Sequence, residues 1–159
     1  MSDKKPKIGV VGAGHLGKHH IKHLSNHSGV ELVGVFDINT ESLKNICSEF
    51  SVKALRSIEE IISSCEAVHI VTPTNTHFDI AKKFLDHKKD VFIEKPITNT
   101  VEEASYLINL AKKNGCIIQV GHIERFNPTI NRLKELVDNP HYIEICLLYT
   151  SDAADDSLR

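Results

Sequence analysis

The chain alternates short apolar runs, rich in β-branched residues, with segments of helix length, and no other feature of the sequence constrains the fold as strongly. Most of these runs are nearly continuous in apolar character, as expected for strands covered on both faces of a sheet. The runs that predict strands are KIGVV (7–11), VELVGVF (30–36), a weak SVKAL (51–55), AVHIVT (67–72), DVFIE (90–94) and CIIQVG (116–121). Repeated strand–helix–strand units with short connections predict an α/β fold with a doubly wound parallel sheet of the Rossmann type.

The segments between these runs carry recognisable helix boundaries. SIEE (57–60) and TVEE (100–103) have the form of capping boxes and predict two helix starts. The pair NG (114–115) predicts a helix end, because Asn and Gly tolerate the left-handed conformation found there.

The pattern changes after about residue 122. We divide the chain into an α/β domain (1–122) and the truncated start of a second, α+β domain (123–145). A helix is predicted over 128–137 and a strand over HYIEICLLYT (141–150), which would leave an exposed strand with no partner. The tail CLLYTSDAADDSLR (146–159) resembles translated sequencing-adapter sequence. We therefore expect the chain to be the N-terminal fragment of a longer protein, with a tail that is not native.

Composition and charge exclude several classes of partner. The net charge is −2, and the 19 basic and 21 acidic residues are interspersed, so no basic stripe indicates nucleic acid or an anionic membrane. There is no secretory leader and no run of about 18 apolar residues. The four cysteines are widely spaced without a C-x-x-C pair, as is typical of reduced thiols: Cys47, Cys65, Cys116 and Cys146. We expect a soluble, cytoplasmic protein.

The stretch GAGHLGKHH, directly after the first predicted strand, has two incompatible interpretations. Gly12, Gly14 and Gly17 form G-x-G-x-x-G, which binds the pyrophosphate of a dinucleotide. Gly12, Gly17 and Lys18 nearly form a nucleoside-triphosphate loop, with His19 where Ser or Thr should stand. The choice decides between hydride transfer and phosphate transfer.

The residues around this stretch favour the dinucleotide. Histidine at position 19 supplies no hydroxyl for magnesium, which the triphosphate loop requires. A strand precedes the glycines, a helix is expected from about His15, and Asp37 follows Gly17 by 20 residues. The Asp37 carboxylate would accept hydrogen bonds from the ribose hydroxyls of NAD and repel the 2′-phosphate of NADP, so NAD is the expected cofactor. Its expected contacts in this region are Gly12, Gly14, His15, Leu16, Gly17 and Asp37.

Two further motifs lie at the same edge of the predicted sheet. TPTNTH (72–77) follows the fourth predicted strand and EKP (94–96) follows the fifth, so both lie where open α/β sheets bind ligands. Together with GAGHLG, they resemble the Gfo/Idh/MocA family, named after glucose–fructose oxidoreductase and inositol dehydrogenase. The resemblance covers residues 7–145. It implies NAD(P)-dependent oxidation of a hydroxyl group on a sugar, cyclitol or sugar nucleotide.

The resemblance also implies roles for single residues. Lys95 would hydrogen-bond the reacting hydroxyl and the nicotinamide ribose, and its ammonium would stabilise the developing alkoxide; the alternative is an ordinary solvated lysine. The general base of the family usually lies in a later D-x-x-x-H segment, so we expect this piece to bind NAD without efficient turnover. The resemblance also implies a homo-oligomer that forms through a later sheet. The other residues implied to contact the cofactor are Thr72, Pro73, Asn75, His77 and Glu94.

The substrate side is expected at GHIERFNP (121–128), where the family crosses into its second domain. Arg125 either binds an anionic group of the substrate or pairs with a carboxylate at the domain junction. His122 is a candidate substrate contact in addition to Lys95. The motif resembles the version found in UDP-N-acetylglucosamine 3-dehydrogenases. A non-catalytic NAD-binding sensor with the same fold is the alternative function, since a fold alone does not establish chemistry.

Histidines at every fourth position of the first predicted helix raise the question of a metal site. His15, His19, His23 and His27 would form a stripe along one flank of that helix. Neighbouring pairs have the spacing for zinc, but no Asp, Glu or Cys joins them to complete a ligand set. We interpret the stripe as a polar helix flank and expect no metal.

Overall fold

The computed structural model describes residues 4–142 and 144, and its strands form one five-stranded parallel sheet in the order β2-β1-β3-β4-β5. Each hydrogen-bonded pair of neighbours in this order is parallel, which confirms the predicted sheet. The strands are β1 (Lys7–Val11), β2 (Glu31–Phe36), β3 (Ala67–Ile70), β4 (Asp90–Ile93) and β5 (Ile118–Val120).

Helices cover the sheet on both faces, so the fold is doubly wound as predicted. Val10 and Val11 are adjacent in β1 and point to opposite faces. Val10 packs with residues of α1 and α2, whereas Val11 belongs to a second buried cluster with residues of α3, α4 and α5. The helices are α1 (His15–Asn26), α2 (Thr40–Phe50), α3 (Ile58–Ser64), α4 (His77–Asp86), α5 (Val101–Asn114) and α6 (Pro128–Leu136).

The predicted helix boundaries are confirmed, with one difference in capping. Both reciprocal hydrogen bonds of the capping box form at Thr100, and α5 ends before Gly115, whose φ is 68°. At the start of α3, Ser57 accepts a hydrogen bond from the backbone of Glu60, but the Glu60 carboxylate accepts from the Arg56 N–H instead of closing the box.

The prediction of a strand over SVKAL (51–55) is wrong. A single parallel bridge joins Ala54 to Val35 of β2, with the Val35 N–H donating to Lys53 O and the Leu55 N–H donating to Val35 O. The segment between the end of α2 at Phe50 and the cap of α3 at Ser57 thus pairs with β2 through a bridge and not through a ladder. The fourth and fifth predicted strands are therefore β3 and β4.

The chain divides after His122 into two compact units. The first holds the sheet and α1 to α5. The second contains a 3-10 turn (Ile123–Phe126) and α6, which confirms the predicted helix over 128–137 to within one residue. Residue 143 and residues 145–159, which include most of the predicted strand 141–150 and the whole tail, lie outside the described residues. The α+β class of the second domain stays a prediction.

Three cysteines fall within the described residues. The side chains of Cys47 and Cys65 are buried, and that of Cys116 is partly buried. Burial raises the pKa of all three thiols, so they are protonated at neutral pH. None of the described helices combines the length and apolar character needed to cross a membrane.

Candidate functional site

A cleft of about 590 Å³ opens at the carboxyl edge of the sheet, where the chain order reverses around β1. This switch point is where open α/β sheets bind their ligands. The cleft brings together six of the residues singled out from the sequence: Gly12, Gly14, Asp37, Thr72, Pro73 and Asn75. The other lining residues are Val11, Phe36, Ile38, Asn39, Ser42, Ile58, Val71, Thr76 and Ile80.

The glycine turn between β1 and α1 forms one wall of the cleft. Gly12 has φ 107°, and a Cβ there would overlap the carbonyl oxygen of Val71. A Cβ at Gly17 would overlap the carbonyl oxygen of Gly12, so this glycine lets α1 pack against the turn. A Cβ at Gly14 would have no heavy atom within 4 Å. Gly14 therefore leaves open space in the cleft beside the start of α1.

The start of α1 is suited to an anion. Its N-cap is Gly14, which supplies no side-chain hydrogen bond, and its first turn contains no acidic residue. The first N–H groups of a helix have no partner within the helix and carry its positive dipole end. They can donate to a pyrophosphate. His15 is exposed here, and 51% of Leu16 is exposed.

Asp37 follows β2 directly and holds the glycine turn. Its Oδ2 accepts a hydrogen bond from the Ala13 N–H at 2.6 Å, and its Oδ1 accepts from the Asn39 N–H at 2.7 Å. Each carboxylate oxygen has a second lone pair, and the residue lines the cleft. Asp37 can accept hydrogen bonds from a ribose diol while fixing the turn. The spacing predicted its position but not its bond to Ala13.

The turn after β3 supplies the opposite wall. Its conformation is fixed by the Thr76 hydroxyl, which lies 2.7 Å from both Thr72 Oγ1 and the Pro73 carbonyl oxygen. His77 is only 1% exposed, and its ring does not line the cleft. Its nitrogens lie 2.8 Å from Thr72 O and 3.0 Å from Pro96 O. His77 thus connects the turn after β3 with the loop after β4.

Glu94 and Lys95 follow β4 at the same edge of the sheet, outside the lining of the cleft. Glu94 is 8% exposed, and its Oε2 accepts a hydrogen bond from the backbone N–H of Lys95 at 3.1 Å. The Lys95 side chain is exposed. Because β4 is the neighbour of β3, this loop lies one strand away from the turn that carries Thr72.

Sequence reasoning missed a cluster of aromatic rings beside Glu94. His20 Nε2 lies 2.9 Å from Glu94 Oε1, and His20 Nδ1 lies 3.0 Å from His69 Nδ1. The His69 ring stacks on Phe92 with centroids 4.6 Å apart. Burial and, to a lesser extent, the charge of His20 lower the pKa of His69 from 6.5 to about 4. His69 is therefore neutral at neutral pH.

A helical pattern in the sequence could have identified His20. It lies three residues after Gly17 and next to Ile21, the two buried residues of α1, so it is on the face that packs against the sheet. The spacing typical of zinc ligands indicates the exposed histidine stripe instead of His20. The partner residue His69 gives no such signal, because only strand register places it beside Phe92.

The histidine stripe itself is exposed. The side chains of His15, His19, His23 and His27 are exposed, and the rings of His15 and His19 meet edge to face with centroids 5.2 Å apart. Within residues 4–142 and 144, no group of three His, Cys, Asp or Glu residues is arranged to hold a metal ion.

The Lys18 ammonium pairs with a carboxylate of α2. Its Nζ lies 2.7 Å from Glu49 Oε1 of α2, and it lies over the Phe50 ring at 5.9 Å. In a triphosphate loop this lysine would instead reach the phosphates. The observed pairing favours the dinucleotide interpretation.

The two remaining candidates are on the surface. His122, the last residue of the first unit, is exposed, and its backbone N–H donates to Val120 O at 2.8 Å. Arg125 is exposed in the 3-10 turn of the second unit. Their roles toward a substrate stay predictions.

Comparisons with known proteins agree with this geometry. The profile of the Gfo/Idh/MocA oxidoreductase family, NAD-binding Rossmann fold, matches residues 6–122. A UDP-N-acetylglucosamine 3-dehydrogenase from Acidithiobacillus ferrooxidans is 37% identical over 139 residues, which cover 87% of this chain and 44% of that protein. The NAD(+)-dependent scyllo-inositol 2-dehydrogenase of Bacillus subtilis is 34% identical over 136 residues, 83% of this chain and 40% of the relative.

The solved structures show the same fold. The crystal structure of the Acidithiobacillus ferrooxidans UDP-N-acetylglucosamine 3-dehydrogenase superposes with a TM-score of 0.78 at 35% identity, over 84% of this chain and 42% of that one. The chain thus spans less than half the length of the relatives it matches.

Proposed function

The chain belongs to the Gfo/Idh/MocA family of oxidoreductases with an NAD-binding Rossmann fold, and from this premise we propose that its whole protein oxidises a hydroxyl group of a sugar or sugar nucleotide with NAD. The observation that carries the proposal is the single cleft that gathers the glycine turn, Asp37 and Thr72. The narrower proposal is a UDP-N-acetylglucosamine-like substrate, supported by the 37% identity to a dehydrogenase of that name.

The cleft fits NAD on features of this structure. Gly14 leaves open space at the start of α1, where the free N–H groups would hold the pyrophosphate. Asp37 would accept hydrogen bonds from the adenosine ribose, and its charge would repel the additional phosphate of NADP. Thr72, Pro73 and Asn75 would line the other end of the cofactor.

The proposed chemistry assigns a direct role to Lys95. Bound NAD supplies the hydride acceptor. The Lys95 ammonium would hydrogen-bond the substrate oxygen and stabilise its negative charge as the proton leaves. We place the general base in another part of the protein, because the relatives are more than twice as long as the region matched here.

The substrate is tested with the whole protein that contains this chain. We expect NADH to form from NAD and UDP-N-acetylglucosamine, and more slowly from free inositol or glucose 6-phosphate. Turnover of a free sugar or inositol alone would contradict the sugar-nucleotide proposal. Absence of turnover with the whole panel, together with tight NAD binding, would favour the non-catalytic sensor.

The role of Lys95 is tested with Lys95→Ala in the same protein. We expect kcat to fall about a hundredfold or more, because a charge that stabilises the transition state is lost, while the Kd for NAD changes little. Lys88→Ala, at an exposed lysine before β4, is the matched control. Equal losses in kcat and in NAD affinity would mean that Lys95 only binds the cofactor.

A further inference from the structure

We propose that His20 is a positioning residue for Lys95, which it holds through the carboxylate of Glu94. The catalytic consequence depends on the proposed function, in which Lys95 contacts the substrate. The structural part, a hydrogen-bonded connection from α1 to the peptide of Lys95, does not depend on it.

The first step of the connection joins α1 to the end of β4. His20 Nε2 and Glu94 Oε1 are 2.9 Å apart, and the side chains are only 17% and 11% exposed. A carboxylate oxygen only accepts hydrogen bonds, so His20 Nε2 carries a proton and donates this hydrogen bond to Glu94. Hydrogen bonds to a charged acceptor in a site shielded from water are among the stronger ones in proteins.

The second step joins the carboxylate to the lysine. The other oxygen of Glu94, Oε2, accepts the backbone N–H of Lys95 at 3.1 Å. The backbone of Gly121 packs against another side of the Glu94 carboxylate, since a Cβ at that position would lie 2.9 Å from Oε1 and 3.1 Å from Oε2. The carboxylate is therefore held by His20, by Lys95 and by the close approach of Gly121.

The third step fixes the His20 ring itself. His20 Nδ1 lies 3.0 Å from His69 Nδ1, so one of these two nitrogens donates a hydrogen bond to the other. The His69 ring is itself held by its stacking on Phe92. Both nitrogens of His20 thus have partners, and neither the ring nor the carboxylate is free to turn.

The connection links the two halves of the proposed site. α1 begins at His15, directly after its N-cap Gly14, where the pyrophosphate is expected, and carries His20 on its buried face. The same helix that receives the cofactor then determines where the chain leaves β4 toward Lys95. A shift of about 1 Å in a positioned group costs up to a hundredfold in rate. Loss of the connection should therefore lower kcat without loss of NAD affinity.

The structural part is tested by NMR on this chain. His20→Leu should move the Lys95 amide proton upfield and speed its hydrogen exchange about tenfold or more, because Glu94 is released. His20→Gln, which can donate an N–H to Glu94, should restore the wild-type signal. His23→Leu makes the same change at an exposed site of α1 and should have no effect.

Two outcomes of the NMR experiment overturn the proposal. One is an unchanged Lys95 amide in folded His20→Leu. The other is a signal that His20→Gln does not restore. Should His20→Leu not fold, Gly121→Ala replaces it: its methyl group would displace the Glu94 carboxylate with the imidazole intact, and an unchanged Lys95 amide there would also overturn the proposal.

The catalytic part is tested by kinetics of the whole protein. His20→Leu should lower kcat about tenfold or more and leave the Kd for NAD within about twofold, with recovery in His20→Gln and no change in His23→Leu. Parallel losses of kcat and NAD affinity, or no loss of kcat, would overturn it. If the wild-type protein does not reduce NAD with any of the sugars or sugar nucleotides tested, the proposed function fails. The NMR result then still decides whether His20 positions Lys95.

Discussion

At the residue scale, single side chains of the site each contact two separate parts of it. Asp37 fixes the glycine turn through Ala13 and also lines the cleft. His77 lies between Thr72 O and Pro96 O, and so connects the two loops that carry the proposed cofactor and substrate contacts. Residue spacing identified Asp37 and the family resemblance identified His77, but their second contacts depend on loop geometry that neither signal contains.

Asp37→Ala should weaken NAD binding about tenfold or more, because hydrogen bonds to the ribose from a charged acceptor are lost. NADP binding should weaken less or improve, since the carboxylate no longer repels its 2′-phosphate. Isothermal titration calorimetry with both cofactors measures the two affinities. Asp79→Ala, at an exposed aspartate of α4, is the control for loss of one negative charge. An unchanged preference between NAD and NADP would contradict the ribose assignment.

His69 should make stability depend on pH. Its pKa is lowered to about 4 in the folded chain, so the unfolded chain binds a proton first as the pH falls. Its contribution is therefore fully present above pH 6.5 and is lost as the pH falls toward 4. Between about pH 7.5 and about pH 5 this amounts to about 2 kcal/mol.

Urea denaturation at these two pH values measures the effect. His69→Gln should lose about 2 kcal/mol less than the wild type between them, whereas His23→Gln, at an exposed histidine, should behave like the wild type. The same loss in His69→Gln and the wild type would show that His69 is not buried in its neutral form.

At the scale of single elements, the turn from β1 into α1 separates the requirements of folding from those of binding. Gly12 adopts a positive φ against the end of β3, so it is required by the fold. Gly14 has φ −74° and open space around it, so any small residue fits the backbone there. The sequence predicted both as cofactor contacts and could not distinguish them, because the difference lies in contacts with Val71.

Gly12→Ala and Gly14→Ala should therefore differ. Gly12→Ala should lower the free energy of unfolding by about 2 kcal/mol or more, because of backbone strain and overlap with Val71 O. Gly14→Ala should leave stability within about 0.5 kcal/mol and weaken NAD binding, because its methyl group enters the space expected for the pyrophosphate. Thermal unfolding and calorimetry measure the two quantities. NAD affinity in Gly14→Ala equal to the wild type would place the pyrophosphate elsewhere.

The elements with local signals were predicted and those with long-range causes were not. The capping box at Thr100 and the stop at Gly115 follow from residues within one turn, and both formed. SVKAL had strand composition but pairs with β2 through a single bridge at Ala54. The pairing of His20 with His69 depends on where α1 lies on the sheet and on the register of β3 with β4, neither of which the sequence of α1 encodes.

At the scale of the whole molecule, the parallel doubly wound sheet explains why distant motifs share one edge. GAGHLG, Asp37, the turn at Thr72 and the loop at Lys95 are separated along the chain, and each follows the carboxyl end of a different strand. The sequence predicted this arrangement because alternating strands and helices allow few topologies. This chain spans 44% of the length of the first relative, and the contacts proposed for the substrate were predicted only from a resemblance.

The glycine turn and Asp37 should bind a dinucleotide rather than a nucleoside triphosphate. Isothermal titration calorimetry of this chain with NAD, NADP and ATP with magnesium distinguishes the two ligands. We expect binding of one NAD, weaker binding of NADP, and no binding of magnesium ATP at the same concentrations. Binding of magnesium ATP without binding of NAD would contradict this expectation.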